Sequence, residues 1–155
     1  MIFYYYNSMQ FADILRKVKP MDIPEGVVAI YLYGSSVNGK MREESDIDIA
    51  FLPSFKTTLE ERLILISKVE GAIAKLLREK GIRREISVVD LRGKFMALTL
   101  QRKIIAEGIL LYEKDVMERV EFENTIKREY YDFAPYLNSL RARKYGHLHS
   151  KVRSY

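Results

Sequence analysis

The sequence predicts an α/β (α+β) domain, a small mixed sheet with helices packed on one side. Three observations carry this. Short apolar runs of strand length occur at 27–33, between Gly26 and Gly34, at 46–52, stopped by Pro53, and at 85–91. Longer stretches with helical spacing of apolar residues stand between and after them. Strands alternating with long helices in 155 residues imply one layered domain rather than several.

The elements follow in order. Phe11, Ile14, Leu15 and Val18 recur at helical spacing, and Pro20 and Pro24 close that helix. The run 27–33 is continuous in apolar residues and reads as a buried strand. Residues 35–40 are expected to open a short helix whose first N–H groups face the turn at Gly34-Ser35. A second strand spans 46–52. Thr58-Leu59-Glu60-Glu61 is a capping box, with Thr at the cap and Glu three residues later. It opens a helix whose stripe is Leu59, Leu63, Ile66, Val69 or Glu70, Ile73 and Leu76/Leu77, stopped by Gly81. A third strand covers 85–91, a second long helix covers 95–107 and ends at Gly108, and 109–112 is a short strand. Asp115 caps a last helix, about 115–140, carrying Val116, Val120, Ile126, Tyr130 and Phe133, which Pro135 kinks or ends. Residues 1–155 thus form a single domain with no repeat or linker.

Composition narrows the setting. No apolar run approaches the roughly 18 residues of a membrane span, and residues 1–6 lack the basic start of a signal peptide. There is no cysteine, so neither a disulfide framework nor a Cys-ligated zinc is available; a cytoplasmic protein is expected. The net charge of +5 resides in the tail, where Arg141, Arg143, Lys144, Lys151 and Arg153 stand without an acid. Of 26 basic residues these are five, leaving 21 basic against 21 acidic in 1–140. The body is therefore not a basic nucleic-acid platform. The basic tail 141–155 is read as a solvated terminus, with contact to nucleic acid or to an acidic partner as the alternative.

The chemistry concentrates at the first two strands. Gly34-Ser35 ends one apolar run, and after nine further residues Ser45-Asp46-Ile47-Asp48 opens the next. Side chains on a strand alternate faces, so Asp46 and Asp48 point the same way. Two carboxylates on one face beside a Gly-Ser turn suit Mg²⁺ and the phosphates of a nucleotide. The bland alternative is a loop Gly-Ser with solvated acids on an edge strand. Against it, an apolar strand has little reason to carry two carboxylates on one face unless a cation neutralises them.

This pattern of Gly-Ser, ten residues, then Asp-x-Asp resembles the signature of the DNA polymerase β-type nucleotidyltransferase superfamily, in its minimal nucleotidyltransferase (MNT) branch. The resemblance reaches further, over about 27–141. Val88-Val89-Asp90-Leu91-Arg92 and Ile104-Ile105-Ala106-Glu107-Gly108-Ile109-Leu110-Leu111-Tyr112 are similar to the later part of MNT proteins. Arg119-Val120-Glu121-Phe122-Glu123 and Tyr130-Tyr131-Asp132-Phe133-Ala134-Pro135-Tyr136-Leu137 are similar to the tail helix of MntA-like antitoxins encoded beside HEPN toxins. The resemblance implies the polymerase β-type fold and transfer of AMP from ATP, with Mg²⁺, onto a tyrosine of a HEPN-family ribonuclease toxin. It implies Asp46 and Asp48 as catalytic metal ligands, Gly34 for close approach of backbone to phosphate, and Ser35 as a donor to the phosphates.

Two departures qualify the transfer. The family carries a third carboxylate on the next strand, and matching Val89-Asp90-Leu91 to its pattern puts Ser87 there. Glu85, two residues earlier on the same face, is the substitute candidate, with a salt bridge to Arg83 or Arg84 as its plain alternative; Asp90 has the opposite parity and should face away. Many members also carry Arg after the Gly-Ser, where this chain has Ser36-Val37-Asn38; Lys40 or Arg42 would then supply the positive charge, or remain a solvated loop charge. Three functions compete: an adenylylating antitoxin, a catalytically impaired nucleotide-binding antitoxin that neutralises its toxin by binding alone, and a transferase for a small molecule or RNA. The chain's shortness argues against the third, since no second domain is evident to hold such an acceptor.

Overall fold

The computed structural model describes residues 8–34, 37 and 46–153. Four strands form one sheet: β1 (Val27–Tyr33), β2 (Ile47–Pro53), β3 (Ile86–Asp90) and β4 (Ile109–Glu113). Their order is β3-β2-β1-β4. β1 is antiparallel to both β2 and β4, while β2 and β3 run parallel. The helices are α1 (Ser8–Leu15), α2 (Leu59–Glu79), α3 (Leu98–Glu107) and α4 (Val116–Arg153), with a short 3₁₀ turn at Pro20–Asp22. This is the mixed sheet with helices that the sequence predicts.

Helices stand on both faces of the sheet, where the sequence led us to expect one. Ile30, Leu32, Ile47, Ile49 and Phe51 pack with Phe11 and Leu15 of α1 and Val69 and Ile73 of α2. Val28, Tyr31, Ala50 and Leu52 pack instead with Ile104 of α3 and Phe122 and Ile126 of α4. The reason lies in the strands themselves. The first six residues of β1 are all buried, as is most of β2. A strand apolar on both sides must be covered on both.

Local chemistry sets the ends of α2. The Thr58 hydroxyl accepts from Glu61 N–H at 3.2 Å, half of the expected box. At the other end Gly81 turns at φ +69°, and Ile82 N–H bonds back to the Leu77 carbonyl at 2.9 Å, a glycine stop of the left-handed kind. The buried stripe is Leu65, Val69, Ala72, Ile73, Leu76 and Leu77. Leu59 and Leu63, expected within it, are exposed. The position one turn before Leu65 belongs to Arg62, which lies 3.1 Å from Asp90, so a charged residue occupies the face that apolar counting assigns elsewhere.

Helix α4 departs most from expectation. It runs through Pro135 and the basic tail to Arg153, where the sequence placed its end near 140. A proline removes one helical hydrogen bond, here to the Tyr131 carbonyl, and Tyr131 is well exposed, so water can satisfy the freed oxygen. The base of α4 is tied to the sheet. Tyr31 donates its hydroxyl to Glu123 at 2.9 Å, Arg119 donates to the other Glu123 oxygen at 2.8 Å, and Arg119 also pairs with Glu113 of β4. Among the described residues no helix is long and apolar enough to cross a membrane.

Candidate active site

The end of β1 and the start of β2 build the site. Asp46 immediately precedes β2 and is exposed; Asp48 is the second residue of β2 and half-buried. Asp48 stands opposite Tyr33 on one side and opposite Ser87 on the other. Gly34 leaves β1 with φ +75°, a conformation that favours glycine. A Cβ there would lie 2.2 Å from Asp48 Oδ2. The carboxylate therefore rests against the glycine backbone in space that any side chain would fill. Val37 N–H closes the following turn on the Gly34 carbonyl at 3.0 Å.

Electrostatics mark the same place. Burial raises the Asp48 carboxyl above the ordinary carboxylate value, and the neighbouring Asp46 charge raises it further. Burial, then the Asp48 charge, raises the Tyr33 hydroxyl. Two like charges held together at a strand end favour a bound cation. Two oxygen donors of this kind fit a hard divalent ion such as Mg²⁺, with Asp46 and Asp48 as the residues that would hold it. Among the described residues, no group of three or more His, Asp or Glu gathers where a metal would sit.

The register locates the position expected to carry a third acid. Ser87 is the direct parallel-strand partner of Asp48, and Asp90 turns to the opposite face, where it meets Arg62. Glu85 is exposed and lies one residue before β3; its carbonyl accepts from Ile47 N–H at 2.8 Å, continuing the ladder toward the site. Ser35, Ser36, Asn38, Lys40, Arg42 and Ser45, and with them most of the expected helix at 35–40, lie outside the described residues.

A pocket of about 120 Å³ adjoins Gly34, walled by Tyr33 and Val37 on one side and by Leu100, Lys103, Ile104 and Glu107 of α3 on the other. The sequence reading missed α3 as a wall of the site. Its signal was present as Lys103 and Glu107, one helical turn apart on a helix read only for its span and its glycine end.

The family model for Polymerase beta, Nucleotidyltransferase matches residues 16–117, two thirds of the chain. The chain belongs to the polymerase β-type nucleotidyltransferase family. The match spans Gly34, Asp46, Asp48, Ser87 and α3, so the site lies wholly within the family's region. Among solved structures this nucleotidyltransferase is similar to a toxin–antitoxin with AMP-PNP, at 21% identity and TM-score 0.50, over 88% of this chain and 100% of that one. It is similar to a mutant of the toxin–antitoxin MntA-HpeT at 20% identity and TM-score 0.50, with the same coverage of 88% and 100%. A tri-AMPylated Shewanella oneidensis HEPN toxin in complex with MNT antitoxin matches at 21% identity and TM-score 0.48, over 87% and 99%. Likeness at the level of the first two shows a shared fold. No curated protein matches the chain.

Proposed function

We propose that this nucleotidyltransferase is an Mg²⁺-dependent antitoxin that transfers AMP from ATP to a tyrosine of a HEPN-family ribonuclease toxin. The observation that carries the reading is Asp48 laid against the Gly34 backbone and within reach of the Asp46 charge. The fold likeness to a toxin–antitoxin with AMP-PNP supports a nucleotide and a protein partner. In the reaction the tyrosine oxygen attacks the α-phosphorus of ATP. A new O–P bond forms as the bond to the bridging β-oxygen breaks, pyrophosphate leaves with that electron pair, and the phenolic proton passes to water. Mg²⁺, when bound, neutralises the triphosphate and favours the ionised form of the attacking hydroxyl.

The chain's own residues divide the remaining work. Asp46 and Asp48 hold the cation. Gly34 lets the backbone approach the phosphates, Ser35 donates to them, and Lys40 adds positive charge. The pocket between Tyr33 and α3 receives the part of the nucleotide beyond the phosphates, with Lys103 at its wall. The body does not suit nucleic acid, since residues 1–140 carry no net charge, and contact with nucleic acid is left to the basic tail as the alternative.

One observation favours a second reading. Ser87, opposite Asp48, cannot supply an anionic ligand. A catalytically impaired antitoxin that binds Mg²⁺-ATP and its toxin without transfer would carry such a serine. Incubation with labelled ATP, Mg²⁺ and a HEPN protein encoded beside this chain separates the two. Label on the partner, lost with Asp48→Asn, supports transfer; a tight complex that never acquires label supports binding alone.

A further inference from the structure

Helix α4 is 38 residues long, and its far part projects beyond the sheet that anchors its base. One stripe runs along it at spacings of three and four residues. Near the base, Glu118, Phe122, Ile126 and Glu129 of this stripe line a cleft of about 710 Å³, at the end of the sheet away from Asp46 and Asp48. The same stripe continues past the body as Phe133, Tyr136 and Leu140, then Arg143 and Lys144. Tyr136 is 59% exposed and Leu140 40%. The Phe133 and Tyr136 rings lie 5.7 Å apart and tilted, a small aromatic cluster on the projecting helix.

Helices in proteins draw most of their stability from packing an apolar face. The projecting stripe is such a face. Its charged positions say what fits it: Glu129 stands before the apolar stretch 133–140, and Arg143 and Lys144 stand after it. That order complements itself when the helix meets a copy of itself running the other way.

We propose that α4 pairs antiparallel with α4 of a second copy of this chain, about a two-fold axis near Tyr136. Glu129 lies seven residues before that axis and Arg143 seven after it. Each is then ~10 Å along the helix from the axis, so Glu129 faces the partner's Arg143. Phe133, three residues before, packs beside the partner's Leu140, four after. The interface is isologous, each contact occurring twice. It also brings the basic end of the chain toward the cleft, where Glu121 stands. The pairing involves no residue of the Asp46–Asp48 site and is independent of the transfer reading.

The test is the solution mass of the full chain by light scattering at low salt and micromolar concentration. Wild type should be a dimer. Glu129→Arg and Arg143→Glu should each give monomer with unchanged helical circular dichroism. The double variant should recover the dimer, because the two charges have only exchanged sides; misfolding would not be reversed this way. Raising salt to about 1 M, where screening acts within ~3 Å, should weaken the wild-type dimer. A wild-type monomer overturns the proposal, including one whose projecting helix instead captures a HEPN protein. So does a dimer indifferent to both charge reversals.

Discussion

Replacing Gly34 by alanine tests the site at its tightest point. The substitution has two separable effects. At φ +75° a side chain costs about 1–2 kcal/mol in the left-handed region. For a domain of this size that lowers Tm by roughly 2–8 °C. The second effect is local. The new Cβ would stand 2.2 Å from Asp48 Oδ2, so the carboxylate must retreat by ~1 Å, a misplacement that costs about a hundredfold in rate where geometry decides catalysis. Two assays read the two effects: thermal unfolding without metal, and Mg²⁺-dependent binding of ATP with transfer of labelled AMP. Gly34→Ala should remain folded, melt slightly lower, and lose the additional stabilisation that Mg²⁺-ATP gives wild type. An alanine protein that binds Mg²⁺-ATP as wild type does would refute the reasoning, since Asp48 would then not need the space against the glycine.

Three further outcomes are expected. Asp48 has a folded pKa above its unfolded value near 3.8, so its ionisation opposes folding; the favourable contribution of the protonated form is complete below that value and lost as pH rises through the folded pKa. Asp48→Asn should therefore melt higher than wild type in chelator at neutral pH, with the gain vanishing toward pH ~3, while losing roughly a thousandfold or more in any transfer; a lower neutral melting temperature in chelator contradicts the shift. Ser87→Asp should raise a slow wild-type rate, because the register already sets that position beside Asp48, whereas a wild-type rate abolished by Glu85→Gln would make Glu85 the third acid. Tyr31→Phe should cost about 1–2 kcal/mol by removing its hydrogen bond to Glu123, read as a lower denaturant midpoint with nucleotide binding unchanged; an unchanged midpoint would show that the bond is not formed in solution.

The strands and the motif were legible because their signals are local. β1 is an unbroken apolar run between glycines, and the Asp-x-Asp motif needs only that a strand begin there, as β2 does at Ile47. The Thr58 cap and Gly81 stop were readable for the same reason. What escaped depended on tertiary context. Arg62 occupies a turn of the α2 buried stripe because Asp90 awaits it across the fold, and no periodicity of apolar residues reveals that. Pro135 sits inside α4 because the affected stretch is open to water. The two-sided packing of the sheet was implied by β1 itself, yet the alternation of strands and helices does not say which face each helix takes. Lys103 and α3 became part of the site only when Gly108 returned the chain to β4 beside β1.

The pairing of β1 with β2 has a consequence for how the site is assembled. Gly34 and Asp48 belong to neighbouring antiparallel strands, only 14 positions apart along the chain, and such short-range contacts form with little loss of chain entropy. The opposite wall of the adjoining pocket comes from α3, beyond α2 and β3, and closes at much greater separation. The carboxylate pair and its glycine are thus a short, nearly self-contained cassette, onto which a remote stretch of polypeptide adds a lining. Substitutions in that stretch can reshape what the pocket admits while leaving the cassette intact, so selectivity and chemistry are free to drift on separate schedules.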